Sequence, residues 1–248
     1  MASVKSEILF GFHSVESVIR NDPVNILQLY VEKNRNDKRM LQLVKHAEAQ
    51  GISVEYLKKS DLEKLAESKK TQGLAIRYKS SDKNSACSLD DILQKENVLL
   101  LVLDGVTDPH NLGACLRTAD AAGVDAVIVP KDRAAGLTPT ARKVACGAAE
   151  TVPFFQVTNL ARTLKQLNEH NVWIVGTAGE AENSLYDIKL TGKLAMIMGA
   201  EEKGLRRLTR ENCDQLVKMP MAGQVESLNV SVATGVCLFE AVRQRAVK

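Results

Sequence analysis

VLLLVLDGVTDPHNLGACLRTADAAG, residues 98–123, decides the fold class. Its opening is an unbroken apolar run from Val98 to Leu103, closed by Asp104 and Gly105. A run that short, with no alternation of polar and apolar residues, suits a strand covered on both faces, as in a parallel sheet. Asp108 and Pro109 then supply a turn and a helix start, and Gly123 supplies the stop. The same strand-then-helix unit recurs down the chain. DAVIVP (125–130), VWIVGTA (172–178), LAMIMGAE (194–201) and QLVKMPM (215–221) alternate with longer helical patterns. That alternation predicts an α/β domain, a parallel sheet flanked by crossover helices. Most of the runs end in glycine, proline or polar residues. This places the unusual loops at the carboxyl ends of the strands, where open α/β sheets bind ligands.

Upstream the pattern breaks at SSDKNSACSLD, a polar, serine-rich stretch after Lys79 that reads as a linker. The expected organisation is therefore a small domain over residues 1–79, a flexible linker over 80–92 and a larger domain over 93–248. In the small domain ILQLYV (26–31), ISVEYL (52–57) and GLAIRY (73–78) read as strands. Asp37 to Gln50 reads as a helix with Met40, Leu41, Val44 and Ala47 on its apolar face. A second α/β unit follows from that alternation. Net charge is only +3, but it is unevenly spread. Residues 1–79 hold 14 Lys and Arg against 10 Asp and Glu, whereas the rest holds 19 against 20. Lys33, Arg35, Lys38 and Arg39 form a basic cluster that suits RNA phosphates, and equally suits a solvated helix start.

Composition excludes several classes. The chain has 248 residues, 45% of them hydrophobic and 25% charged, which is globular. It contains no apolar run of membrane-spanning length, and MASVKSEILFGFHS lacks the features of an export signal, so a cytoplasmic protein is expected. Cys87, Cys115, Cys146, Cys213 and Cys237 form no C-x-x-C pair and have no histidine at metal-ligand spacing, so reduced thiols and no metal are expected. No G-x-G-x-x-G follows a strand, and GAEEKG (199–204) lacks the Lys-Ser or Lys-Thr of a P-loop. A ligand must use other loops.

Three segments carry polar residues and glycines inside apolar surroundings. In residues 104–123, Asn111 and Arg117 lie near the start of a helix, whose free amides and dipole favour a phosphate or a developing alkoxide. The same residues would also serve as a cap and a surface arginine. In IMGAEEKGL (197–205), Gly199 and Gly204 flank Glu201 in a loop that could approach a ligand closely or be a solvated turn. In MPMAGQVESLNVSVA (219–233) a strand passes through a loop into a helix, with Ser227 and Asn229 at the helix start and Ser227 read as its N-cap.

In order and spacing these segments resemble the three motifs of the SPOUT superfamily, specifically the SpoU-type ribose methyltransferases. The matches are N-L-G-x-x-x-R-T-A at Asn111–Ala119, G-x-E-x-x-G at Gly199–Gly204 and M-x-G-x-x-x-S-L-N-V at Met221–Val230. The resemblance extends through VACGAAE and the closing SLNVSVATGVCLFEAVRQR, and covers nearly the whole chain. It implies transfer of a methyl group from S-adenosylmethionine to the 2′-hydroxyl of a guanosine in the peptidyl-transferase region of large-subunit (23S) ribosomal RNA. It further implies an N-terminal RNA-binding domain resembling a ribosomal protein, and a catalytic domain closed by a deep trefoil knot. The active site would lie across a homodimer interface, with Val232, Val236, Phe239 and Val242 available for packing. The cofactor would be held mostly by backbone at Thr177, Gly199, Met219 and Leu228. Arg117 would act on the ribose hydroxyl or its phosphate, Asn111 and Glu201 would orient, and Ser227 and Asn229 would shape the site. Because a guanidinium stays protonated in proteins, stabilising an alkoxide is the easier role for Arg117 than that of base. Threonine at position 71 replaces the histidine of a family H-Q-G segment. A non-catalytic RNA-binding protein, a base-modifying SPOUT enzyme, or a ribose methyltransferase acting on another rRNA or tRNA nucleotide would share much of this pattern.

Overall fold

The structure is a computed structural model that describes residues 6–35, 37–79, 88–200 and 203–246. The chain divides into two compact units, Met1–Lys83 and Asn84–Lys248.

The first unit is a four-stranded sheet in the order β1 (Ser6–Phe10), β4 (Leu74–Lys79), β2 (Ile26–Glu32), β3 (Val54–Leu57). Strands β2 and β3 run parallel, and the other pairs are antiparallel. Helices α1 (Phe12–Asn21) and α2 (Lys38–Ala49) cover one face through Val15, Val18, Ile19, Met40 and Val44. Helix α3 (Lys59–Leu65) sets Leu62 against Tyr30 and Ala75 on the other. Asp37 caps α2 by accepting from the Met40 amide, 3.0 Å. The buried stripe of α2 is Met40, Leu43, Val44 and Ala47, whereas Leu41 is 47% exposed. Leu43 lies three residues from Met40 and shares its face; Leu41, one residue on, is turned about 100° away. Strand β1 was not expected.

The second unit is a seven-stranded, wholly parallel sheet. Its order is β7 (Phe154–Val157), β6 (Ala126–Pro130), β5 (Leu99–Asp104), β10 (Leu194–Gly199), β8 (Trp173–Thr177), β11 (Gln215–Lys218), β9 (Asn183–Ser184). On one face α5 (Pro109–Ala121), α6 (Pro139–Ala145), α7 (Ala148–Thr151) and α10 (Val230–Ala246) bury the main core. On the other lie α4 (Leu89–Leu93) and α8 (Leu160–Glu169), with the short α9 (Arg207–Glu211) against α8. Every residue of β5 is buried, which is why its sequence is a continuous apolar run.

The linker expectation needs correcting at its C-terminal end. Ser88 forms a capping box with Asp91, and Ile92 and Leu93 are buried, so α4 belongs to the second unit. S-x-x-D before apolar residues is a helix-start signal that outweighs the polar composition around it. Residues 80–87 of the expected linker, Cys87 among them, lie outside the described residues.

From β5 the chain builds outward through β6 and β7, then crosses to the other side for β8 and its neighbours. The ligand crevice of such a sheet opens at the carboxyl ends of the strands beside that reversal.

Candidate active site

Register brings the motif loops together. In the β5–β10 ladder Asp104 lies opposite Gly199, so both chains leave the sheet at the same level. Beyond Gly199 the chain doubles back, and Ala200 and Gly204 exchange backbone hydrogen bonds of 3.2 and 2.9 Å. A Cβ at Gly199 would lie 2.4 Å from the Gly204 carbonyl carbon, and Gly204 itself takes a φ of +59°. The two glycines of G-x-E-x-x-G are thus required by a backbone-on-backbone approach and a left-handed turn. Glu201 lies outside the described residues.

Two adjoining cavities occupy this end of the sheet. One, about 340 Å³, lies over the ends of β8, β10 and β11 and includes Thr177, Gly199, Met219, Ser227 and Leu228 in its lining. The other, about 440 Å³, lies between the ends of β5 and β10 and includes Asp104, Asp108, Asn111, Arg133 and Arg206. Ala200, Lys203, Gly204 and Val230 line both.

The four expected cofactor positions all face the first cavity. The Thr177 hydroxyl donates to the Ile197 carbonyl, 3.1 Å, stapling β8 to β10. Its side chain is engaged within the sheet, and its backbone is what it has left to offer. Residues 219–229 leave regular secondary structure and bring further main chain to the cavity rim. Leu205, Val217, Met219 and Leu228 supply apolar lining, while Thr177, Ser227 and the charged Glu180, Lys203, Arg210, Lys218 and Glu226 supply polar groups. A cavity of this size with both kinds of lining fits S-adenosylmethionine, whose adenine needs apolar walls and whose polar ends need hydrogen bonds and charge partners.

Asn111 and Asn229, 118 residues apart, are joined by a 3.0 Å hydrogen bond from the Asn229 Nδ2 to the Asn111 Oδ1. The Asn229 Oδ1 accepts from the Ser231 amide at 2.9 Å and from its hydroxyl at 2.5 Å. Asn229 therefore caps α10, and Ser227 lies two residues out in the loop, which corrects the expected cap. At the head of α5, Asp108 is the cap, accepting from the His110 amide at 2.9 Å. Hydrogen bonds from that amide and then from the His110 ring hold the Asp108 carboxyl below its usual range. Asn111 lies in the first turn of the helix, where its Oδ1 meets Asn229.

Arg117 stands apart. It is exposed, lines neither cavity, and its guanidinium donates to the Cys146 Sγ, 3.7 Å, beside the left-handed turn that ends α6. One pair at the site was missed from sequence. Asp104, 1% exposed, accepts from the backbone amide and the Nε of Arg206 at 3.0 and 2.5 Å, latching the chain just beyond Gly204 to β5. The available signal was a carboxylate closing an otherwise apolar, fully buried strand. Among the described residues no group of three or more His, Cys, Asp or Glu side chains could hold a metal, and no helix is long and apolar enough to cross a membrane.

In the small unit, Lys33 is exposed, whereas Arg35 pairs with Asp37 and donates to the Gln72 carbonyl. Arg39 pairs with Glu16 at 3.0 Å and lies 4.0 Å over the Phe12 ring.

Residues 98–239 match the SpoU rRNA methylase family, and residues 8–83 match the RNA 2′-O ribose methyltransferase substrate-binding family. The 23S rRNA (guanosine-2′-O-)-methyltransferase RlmB of Pasteurella multocida is 58% identical over 242 residues, 97% of this chain and 99% of the relative. Among solved structures, an RNA 2′-O ribose methyltransferase superposes with a TM-score of 0.82 at 27% identity, covering 98% of this chain and 90% of that one. AviRb of Streptomyces viridochromogenes, a SpoU methyltransferase solved with AdoMet, shares the fold with a TM-score of 0.78 at 23% identity, covering 96% and 90%. With motif loops gathered at the strand ends and relatives matched end to end, the chain belongs to the SpoU rRNA methylase family.

Proposed function

We propose that this chain transfers the methyl group of S-adenosylmethionine to the ribose 2′-hydroxyl of a guanosine in 23S rRNA, in the cytoplasm and without a metal. The observation that carries this reading is the Asn111–Asn229 hydrogen bond, which ties the loop lining the 340 Å³ cavity to the helix lining the 440 Å³ one. The smaller cavity takes the cofactor and the larger takes the acceptor nucleoside. When bound, the cofactor supplies an electrophilic methyl carbon on a sulfonium.

Such a displacement requires alignment of the attacking oxygen and removal of its proton. Asn111 and Asn229, locked to each other, fix the boundary across which the ribose must reach. Ser227, on the loop before α10, lines the smaller cavity, Lys203 adds positive charge to both, and the motif assigns Glu201 an orienting role. Arg117 stabilises the alkoxide forming on the ribose oxygen while the proton leaves through a phosphate or water.

We place Arg117 of one protomer at the cavities of its partner in a homodimer. Supporting this, Arg117 is exposed away from the cavities of its own chain, and Val232 and Phe239 on α10 are 52% and 49% exposed. Val236 and Val242 pack largely within the subunit. We also infer the trefoil knot. In its favour, β10 lies between β5 and β8, and after β11 the chain returns to lay α10 against α5 and β10. The first unit is proposed as the RNA-binding one and the second as the catalytic one.

The test is a labelled-methyl assay on unmodified 23S rRNA, followed by nuclease digestion and mass spectrometry. Label on a guanosine ribose is expected. Label on a base, or no transfer, refutes the assignment.

A further inference from the structure

The small sheet gathers charge at one end. Phe10 pairs with Ala75, Val31 with Leu74, and Glu32 with Leu57, so the segments after β1, β2 and β3 and the segment before β4 all leave the sheet together. They bring Lys33 and Lys38 beside Lys58, Lys59, Lys69 and Lys70, all exposed. Among the described residues none of these six lysines is in an ion pair. The arginines of the same loops do different work. Arg35 braces the Gln72 carbonyl and Asp37, and Arg39 is held between Glu16 and the Phe12 ring. Guanidinium groups fix the loops and ammonium groups stay free.

The loops are also preset. The Gln72 Oε1 accepts from the Phe12 amide at 2.7 Å, joining the segment before β4 to the one after β1. Gly11, Asn34, Gln72 and Gly73 take positive φ there, the mark of tight turns. At the opposite end of the sheet the Asp22 carboxylate accepts from the Tyr78 hydroxyl and the Asn25 amide.

Local stability does not account for where the lysines stand. Lys38 opens α2, Lys58 occupies the N-cap position of α3 and Lys59 opens it, without a side-chain cap bond from Lys58. The helix dipole disfavours cations at these ends. Charges that cost folding energy where they stand, and have no ion-pair partner among the described residues, suit a polyanion outside the chain.

We propose that this end of the sheet is the surface on which the small unit grips RNA phosphates, with Lys58, Lys59, Lys69 and Lys70 adding to Lys33 and Lys38. The proposal rests on the rRNA reading above and names where the substrate is held. Six ammonium groups on braced loops and helix starts contact the phosphate backbone without reading sequence. The surface supplies affinity, and the choice of nucleotide is left to the catalytic unit.

In the full-length protein, Lys58→Ala/Lys59→Ala and Lys69→Ala/Lys70→Ala are compared with Lys45→Ala/Lys64→Ala, an equal charge change on exposed helix positions away from that end. Binding to an unmodified 23S rRNA fragment is measured across a salt series, and S-adenosylmethionine binding by calorimetry. Each of the first two variants is expected to make the slope of log affinity against log salt shallower by about 1.5, from two lost contacts at about 0.7–0.9 each. The control keeps the wild-type slope, and cofactor affinity is the same in all four proteins. Slopes that match the control in both test variants overturn the surface while leaving the enzyme reading intact. A wild-type protein that neither binds nor methylates the RNA overturns both.

Discussion

Gly113→Ala adds one methyl group to the buried side of α5, in the middle of the N-L-G-x-x-x-R motif. That methyl would lie 2.5 Å from the Ala141 carbonyl oxygen and 2.7 Å from the Val144 Cβ, both on α6. An ordinary carbon–oxygen contact is about 3.3 Å, so α5 and α6 must separate by roughly 0.8 Å. Backbone cannot rotate away as a side chain can. Overpacking of this kind costs about 1–3 kcal/mol, while alanine's better helix propensity returns about 1 kcal/mol. The net loss, up to about 2 kcal/mol, corresponds to a Tm lower by up to about 8 °C for a unit of this size. The same displacement carries Asn111 and Arg117 with the helix, and misplacement near 1 Å costs up to about 100-fold in rate. Gly235→Ala on α10 is the control, because its nearest neighbour would be the Thr118 Cγ2 at an ordinary 3.8 Å. It should be neutral or stabilising by up to about 1 kcal/mol. Thermal unfolding and methyl-transfer rates of both variants decide the matter. If Gly113→Ala raises Tm as much as Gly235→Ala and methylates normally, the close approach of α5 and α6 does not position the motif.

Arg117→Lys should retain measurable methyl transfer, about 10–100-fold below wild type, since charge survives while guanidinium geometry is lost, and Arg117→Ala should fall further. A lysine variant as inactive as the alanine one, with normal RNA and cofactor binding, counts against charge stabilisation. Hydrogen bonds from Arg243, supported by Gln244, outweigh the burial of Glu240 and hold its carboxyl at about 2. A depressed folded-state pKa stabilises the protein above the ordinary carboxylate range, and the gain is lost as pH falls from about 4.5 towards 2. Glu240→Gln should therefore lower Tm at pH 7, with a deficit that shrinks below about pH 4; a constant deficit contradicts the linkage. Burial pushes the Cys237 thiol up to about 12, so an alkylating reagent at pH 8 should leave it unmodified until the protein unfolds. Mass spectrometry showing it labelled at the rate of half-buried Cys146 contradicts that burial.

The catalytic unit was legible where one physical demand fixes one residue type. A strand covered on both faces must be apolar throughout, and β5 announced itself for that reason. Asp108 before Pro109 could only open a helix, and it does. Short edge strands were not legible. β7 has four residues and β9 two, below the length at which alternation can be told from chance. Leu41 and Leu43 are both apolar and two residues apart, so composition could not say which one faces the sheet. Either Ser227 or Asn229 could cap α10, and only the partner Asn111, 118 residues away, shows why the task falls to Asn229.

The site itself divides along the same line. Gly113, Gly176 and Gly199 each stand where an added Cβ would come within 2.7 Å of a neighbouring atom, and two of the three are motif positions. Close packing of this kind leaves a mark in sequence because no other residue fits. Charge leaves no such mark. Arg35 and Arg39 looked equivalent to Lys33, yet their planar forks are used to brace loops, as multiple fixed donors allow. Lys58 and Lys69 were indistinguishable from any solvated lysine until the sheet register set them beside Lys33. The close turn of Gly199 and Gly204 at the first cavity was therefore foreseeable from one chain. The cluster of exposed lysines, drawn from separate segments of the small unit, required the fold.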